Sequence, residues 1–511
     1  MFTKTYYLTV ATVTLGASTQ FYSYGVVNPE QELITQWINQ TYYERNGVPL
    51  TQTQQNLIWS FVVSSIAVGA IFGAAVTRTM SERFGRRNAL IANGVLNVCG
   101  ALLEFLAKSS ASPEFLIGGR LILGANMGLS SGLVPMYLME ITPNRFRGAA
   151  GTLHQVAVAF SDWFSLFIAL PDILGSAENW PYAFAFPGIP ALFLVLVLPF
   201  CPESPKFTLL TLGNRDDSLA AVKRLVKEDE VVPMFQALIK EAAVNAREGR
   251  GTYRELFTRR DLRIPLTVSI LVMIAQQFTG CTAVFAFSTD MFVNANLDIG
   301  TARYATLAIG IVYFLFACTS PFLIERLGRR FLSLFQLSSC AVALTLLAGF
   351  TYIQQNTTYP WASYGSIAAL VLYMALYGTG SPIPWMITAE LFATKFRSSA
   401  VTVAVFVAWT FAFIVSTAYL PFQQLVGVAF SYVPFIVVSI LSVTCMYFLL
   451  PETRDKPIDE IVSEIRYRGQ SISVGQPFRI VPADLSSSME SRRLLAETYE
   501  EENNGYENLE P

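Results

Sequence analysis

Gln155, Gln276, Gln277, Asp162 and Trp385 stand out in this chain because each lies well inside a long apolar run. In hydrocarbon a polar side chain is costly unless it faces a cavity or a partner, so each is a candidate contact for a solute. A carboxamide both donates and accepts hydrogen bonds, which matches a hydroxyl that does the same. The competing reading makes each glutamine interhelical glue, bonded only to a neighbouring helix. Gln155 and Asp162 are seven residues apart and so share one helix face, about 10 Å apart along its axis. An intramembrane acid serves as a cation site, a proton site or a hydroxyl acceptor, or else pairs with another buried polar group. Trp385 follows Pro382 and Pro384, which lack backbone donors and break a helix; an indole beside such a break offers a flat apolar face and an N–H. Gly378, Gly380 and Ser381, and Gly280 beside the glutamine pair, add flexibility at these places. No nucleophile–base pair or metal-ligand spacing occurs, and His154 is the single histidine. An enzyme is therefore not expected, and no cofactor or metal is implied.

A second set of residues carries charge and recurs. Glu82, Arg83, Arg86 and Arg87, in the string Glu-Arg-Phe-Gly-Arg-Arg, return 243 positions later as Glu325, Arg326, Arg329 and Arg330. Glu140 with Arg147 returns 250 positions later as Glu390 with Arg397, and Pro202-Glu203-Ser204 is echoed 249 later by Pro451-Glu452-Thr453. Three motifs in one order at nearly one offset mark an internal duplication. Basic residues alone would serve as membrane-edge anchors. An acid recurring with the arginines adds ion pairs, expected to cross between the halves and latch the inner mouth of a carrier.

The elements that must position these groups follow from composition. The 511 residues are 53% hydrophobic and 14% charged, well below the roughly one quarter charged of soluble domains. The net charge of −2 gives no electrostatic case for nucleic acid. Spans of about 20 apolar residues fall at 6–27, 57–78, 88–107, 115–137, 149–171 and 182–201, then at 264–288, 302–324, 331–353, 362–389, 399–420 and 427–450. The first is too long for a signal-peptide core and is expected to be retained. The expectation is an all-α membrane protein of twelve transmembrane helices in two pseudo-symmetric six-helix bundles, 1–201 and 263–450. A cytoplasmic linker with helices, 202–262, joins them, and a largely disordered tail, 451–511, follows. Arg83, Arg86, Arg87, the basic linker, Arg326, Arg329 and Arg330 gather on one side, which places that side and both termini in the cytoplasm. The sequon at Asn39 then lies in the first external loop and is expected to be glycosylated. The six cysteines are scattered through apolar runs and read as small core residues.

Gly85-Arg86-Arg87, Gly328-Arg329-Arg330, Pro202-Glu203-Ser204-Pro205, Gly151-Thr152-Leu153-His154-Gln155, Gln276-Gln277, Pro382-Ile383-Pro384-Trp385 and Pro451-Glu452-Thr453 together resemble the sugar-porter branch of the major facilitator superfamily, in that family's order. The likeness is to facilitative hexose transporters of the glucose and fructose type. It implies the major facilitator fold, a site near the bilayer midplane, and sugar contacts at Gln155, Gln276, Gln277, Thr282, Trp385 and Trp409. The chain departs from the family where Thr282 stands for an Asn, Ala286 and Phe287 for two tyrosines, Tyr313 for an Asn, and Ala408 and Ala412 for residues expected to be Asn. Thr379-Gly380 replaces a Gly-Pro, and Tyr377 lies where an acid is usual. Several hydrogen bonds from the C-terminal half to a hexose are thereby missing, and discrimination falls steeply when such groups go.

The expected function is facilitative transport of a hexose or related polyol by alternating access. The alternatives are a non-hexose solute, H⁺ or cation coupling through Asp162, and a sugar-sensing receptor. In the tail, Leu494-Leu495 after Glu490, and Tyr506 before Leu509, resemble sorting signals, which implies adaptor partners and endosomal cycling from a plasma-membrane site.

Overall fold

A run of some 20 apolar residues in hydrocarbon has no water to satisfy its backbone, so it must close its own hydrogen bonds as helix. A computed structural model describes residues 2–143, 146–248, 251–357, 359–392, 394–454, Ile461 and Glu464. Among them there is no β-strand, only an isolated bridge between Phe2 and Val226. Met1–Arg466 forms one compact unit. The tail, with the expected signals at Leu494, Leu495 and Tyr506, lies outside the described residues.

The N-terminal half contains α1 (Lys4–Ala17), α2 (Tyr22–Gly25), α3 (Val27–Asn46), α4 (Gln52–Phe84), α5 (Arg86–Ser109), α6 (Pro113–Ile141), α7 (Arg147–Ile168), α8 (Trp180–Ala185) and α9 (Gly188–Val197). The central segment folds as α10 (Pro205–Leu210), α11 (Arg215–Leu225), α12 (Glu228–Glu248) and α13 (Tyr253–Thr258). The C-terminal half follows as α14 (Arg260–Phe278), α15 (Cys281–Asn294), α16 (Ile299–Leu327), α17 (Arg329–Asn356), α18 (Pro360–Gly380), α19 (Ile383–Leu391), α20 (Thr394–Val426) and α21 (Val433–Leu449). Ten helical stretches of the described residues are long and apolar enough to cross a membrane. The first and fifth spans fall short of that count because α1 stops at Ala17 and the apolar part of α7 is only Leu153–Ile168. Both contain polar residues that turn inward, including Thr9, Thr12, His154 and Asp162, all buried.

The expected first external loop is helical instead. The chain runs on from the first span as α3, whose Ile34 and Ile38 are buried while Gln36–Glu32 and Gln40–Glu44 pairs line its wet face. An apolar-window count passes over such an amphipathic helix because its mean hydropathy is low. Gly47, at φ 74°, closes it in the left-handed conformation.

Small residues bring α4 and α6 into backbone contact. Gly69 and Gly73 on one helix and Gly124 and Gly128 on the other are each spaced by four, and a Cβ on any of them would run into the partner's backbone. This is how membrane helices associate where apolar burial gives no drive. The two halves meet through α4 against α20, where Ile66, Ala67, Ala70 and Ala74 pack with Val405, Trp409 and Ala412. They meet again through α7 and α16, where Gly310 lies against Trp163 and Leu166.

Candidate functional site

The first, seventh and tenth spans are interrupted, and these interruptions lie beside the candidate residues. The first span breaks at Ser18–Phe21, between α1 and α2. The seventh breaks at Gly280, whose φ of 85° is left-handed, and α15 kinks again at Phe287 (φ −134°, ψ 15°). The tenth breaks at Ser381 and Pro382, as the two prolines require. Non-helical backbone at membrane depth is tolerated where protein or a cavity meets it, and in carriers such breaks border the solute site.

Gln276, Gln277 and Thr282 flank the seventh-span break and are all buried. Gln276 Nε2 donates to the Tyr377 hydroxyl at 2.7 Å, and Thr282 Oγ1 donates to Gln277 Oε1 at 2.7 Å. Trp385, half-buried on α19, has its ring 6.3 Å from that of Trp409, which in turn lies 6.0 Å from Phe21 of the first span. The Trp409 indole N–H is buried with no partner. The Trp385 N–H likewise makes no hydrogen bond within the described residues.

Asp162 is 3% exposed, and its Oδ2 has no partner. It is packed against Gly25 of α2, where a Cβ would lie 2.8 Å from its Oδ1. Tyr24 and Tyr313 are its electrostatic neighbours, one from each half. Gln155 is half-buried on α7, and its side chain makes no hydrogen bond within the described residues. Its neighbour His154 is buried, and Nδ1 pairs with Ser18 Oγ at 2.9 Å, a packing role at the first-span break. Gln276, Gln277 and Thr282 thus form one group, Trp385 and Trp409 a second, and Asp162 lies across from both beside Tyr24; no direct bond joins Gln155 to the rest.

At the end carrying the duplicated motifs, the basic end, two matching clusters appear. Arg86 lies 2.8 Å from Glu140, which also accepts from Ser204 Oγ at 2.5 Å. Glu203 Oε1 accepts from the backbone N–H of Arg86 (3.0 Å), Arg87 (2.9 Å) and Ser204 (2.8 Å), placing a carboxylate at the positive start of α5. In the other half Arg329 lies 3.3 Å from Glu390, which accepts from Thr453, and Glu452 accepts from the N–H groups of Arg329 (2.9 Å) and Arg330 (3.1 Å). Gly85 and Gly328, at φ 87° and 83°, make the turns; a Cβ on either would strike the capping carboxylate. Arg87 and Arg330 donate to the carbonyls of Cys201 (3.0 Å) and Tyr447 (2.7 Å). Arg83, Glu325 and Arg326 are exposed and Arg397 is half-buried; the Arg147 side chain lies outside what is described.

These pairs close within each half, whereas the sequence suggested that they would cross. The reason is geometric: each acid ends the span that packs against its own half's glycine turn. Among the described residues, a bond that crosses at this end is made by Arg78, a residue outside the duplicated motifs. It pairs with Glu82 at 3.0 Å, donates to Ser399 Oγ on α20 at 2.7 Å, and lies over the Tyr253 ring of α13. A cavity of about 630 Å³ opens beside it, lined by Arg78, Glu82, Arg83 and Tyr253 among others. At the opposite end Asn28 crosses the halves, donating to Phe285 O and Ser288 Oγ at 2.7 Å each and accepting from Thr289 N at 2.9 Å. Tyr304 also donates to Asp172 there.

Sequence reasoning passed over Asn28, Arg78, Arg120 and Glu104. Arg120 is fully buried and donates to Val62 O (2.6 Å) and Ser23 O (3.0 Å), tying α6 to the first and second spans, with Glu104 the opposite charge in reach. Both were detectable as charges inside apolar windows. Asn28 and Arg78 sit at span ends, where polar residues are ordinary and carry no signal. The sequon Asn39 lies on α3, its Oδ1 accepting from Leu50 N at 3.0 Å.

Comparison with known proteins bears on this arrangement. Residues 9–464 match the family model described as sugar (and other) transporter. The facilitated glucose transporter member 1 of solute carrier family 2 from Gallus gallus is 34% identical over 474 residues, 92% of this chain and 95% of its own. Facilitated glucose transporter protein 1 of Caenorhabditis elegans is 35% identical over 458 residues, covering 88% of this chain and 89% of its own. The partially occluded inward-open xylose transporter XylE of E. coli superposes with a TM-score of 0.71 at 21% identity over 87% of this chain and 99% of its own, a likeness of fold.

Proposed function

The chain belongs to the sugar (and other) transporter family, and from that membership we propose that it carries a hexose or closely related polyol down its gradient by alternating access. Membership makes it a multi-pass membrane carrier with the twelve-helix major facilitator architecture, and not an enzyme. The observation that carries the sugar reading is the set of buried carboxamides at the broken seventh span, with half-buried Trp385 at the broken tenth and buried Trp409 on α20 beside it, near Asp162 and Tyr24 of the other half. Transport needs no covalent step: hydroxyl pairing to Gln277, Gln155 and Asp162 and ring contact with Trp385 supply binding. Bundle 1–201 rocks against bundle 263–450, and the linker 202–262 stays with the basic end. Arg86–Glu140 and Arg329–Glu390 hold each half rigid during that motion. Arg83, Arg87, Glu325, Arg326, Arg330, Arg397 and Arg147 reinforce the basic end, which faces the cytoplasm with both termini. The plasma membrane is the proposed site, with glycosylation at Asn39 and sorting adaptors at Leu494-Leu495 and Tyr506.

Uptake by full-length protein in proteoliposomes, across sugars, polyols and organic anions, tests this reading. Saturable hexose or polyol uptake without a pH gradient is expected; uptake of none of the sugars or polyols overturns it. A second reading, H⁺ coupling, is favoured by the unpartnered Asp162 oxygen alone. It predicts that an inward proton gradient drives accumulation and that Asp162→Asn abolishes the drive; a wild type indifferent to the gradient rejects it.

A further inference from the structure

Gln276 does not present a free carboxamide to a solute. Its Nε2 donates to the Tyr377 hydroxyl at 2.7 Å, and its Oε1 takes a 3.4 Å bond from Gln336 Nε2, which also donates to the Tyr377 carbonyl at 3.3 Å. All three residues are buried. A primary carboxamide has two N–H groups and two lone pairs, so half of each kind is already used. Gly380 makes the room, since a Cβ there would lie 2.6 Å from Gln336 Oε1. Around Tyr377 stand Phe285 (ring centroids 5.7 Å), Tyr313 (5.9 Å) and Tyr373 (6.1 Å), with Phe285 and Tyr313 themselves 5.1 Å apart. The part of the C-terminal side around Tyr377 is therefore an aromatic wall. Polar capacity remains elsewhere: at Gln277 Nε2, whose Oε1 alone is taken by Thr282, at the Trp385 N–H, and at Asp162 and Tyr24.

Resting on the transport reading above, we propose that Tyr377 and Gln336 are specificity-determining residues, which tie up Gln276 behind an aromatic wall so that the carrier favours a ring solute lacking a hydroxyl on that edge. A hydroxyl pressed against rings, beside a carboxamide with one N–H and one lone pair already taken, recovers only part of the hydrogen bonding it gives up in water, whereas a CH₂ there loses nothing. The opposite edge of the ring is read by hydroxyl pairing at Gln277, Asp162 and Trp385.

The test is competition by each of the monodeoxy-glucoses against hexose uptake in proteoliposomes bearing the full chain. In wild type, one monodeoxy compound is expected to compete at least as well as the parent hexose. In Tyr377→Phe the released Gln276 N–H recovers that hydroxyl, and the parent gains about fivefold over the same analogue, the size of one neutral hydrogen bond. Gln336→Leu should move the ratio the same way, and it carries the test if the tyrosine variant fails to reach the membrane. Adding Gln276→Ala to Tyr377→Phe should erase the gain. A merely structural role would lower uptake of every competitor alike and leave the ratio fixed. Wild-type uptake in which every deoxygenation weakens competition, or ratios unchanged in both variants, overturns this inference alone. A wild type that neither transports nor binds any of the sugars overturns the transport reading, and this one with it.

Discussion

A glutamine, an acid or an indole inside an apolar run is visible because water would otherwise claim it. Gln276, Gln277, Asp162 and Trp385 were legible in that way, and the fold brings them to the broken middles of their spans or to the facing half. What each one does there was not legible, since the same carboxamide can face a solute or a neighbour. Gln276 does largely the second, through Tyr377 and Gln336, while Gln277 keeps its amide nitrogen available. Tyrosine gives no comparable signal, being at home in a core, a belt or a site; Tyr377 was visible in the sequence only as a departure from the family, and its hold on Gln276 came from the tertiary structure. Trp385→Ala should lower uptake by about tenfold or more at normal surface abundance, because it removes both ring contact and an N–H. Undiminished uptake in that variant would place the solute elsewhere. Gln277→Ala should do the same, and in both cases transport measured against a surface-labelling control gives the answer.

Among the elements, the pairing of α4 with α6 and the two capped turns rest on single atoms. A Cβ on Gly73 would meet the Ala125 carbonyl, so Gly73→Ala should lower stability by about 1–3 kcal/mol as the helices are forced apart. Thermal unfolding in detergent reads this as a lower midpoint, and an unchanged midpoint would mean the helices do not approach so closely. Glu203 serves two backbone N–H groups at the start of α5 and that of Ser204, and Glu452 serves the matching turn before α17. Glu203→Ala and Glu452→Ala should each destabilise by about 1–3 kcal/mol, the desolvation penalty of stranded donors, and by similar amounts in the two halves. A large inequality would count against equivalent roles for the duplicated motifs. The spans and the duplicated turns were legible from length and repeats, but the α4–α6 pairing through glycines was not, nor was α3, whose polar face hides it from a count of apolar windows.

In the whole molecule, bonds between the halves stand at both ends: Arg78 to Ser399 at the basic end, Asn28 to the α15 backbone at the other. Each ties the two halves together at one end, so Arg78→Ala and Asn28→Ala should shift the balance of open states in opposite directions. Loss of one bond of this kind changes such a ratio by about fivefold. Cysteine-labelling rates from each side, on probes placed at the rim of each mouth, measure the shift; shifts of the same sign in both variants would show that neither bond acts as a latch. The amino-acid order by itself determined the helical class, the number of spans, the duplication and the sugar-carrier likeness. These depend on hydrophobic length and local motifs, which one strand of chain contains in full. Which half an ion pair joins, which carboxamide remains open to a solute, and which residues bridge the mouths were decided by tertiary structure alone. Each depends on the few ångströms between side chains of different spans, 54 residues apart for Arg86 and Glu140 and 321 for Arg78 and Ser399, and no local pattern records those distances.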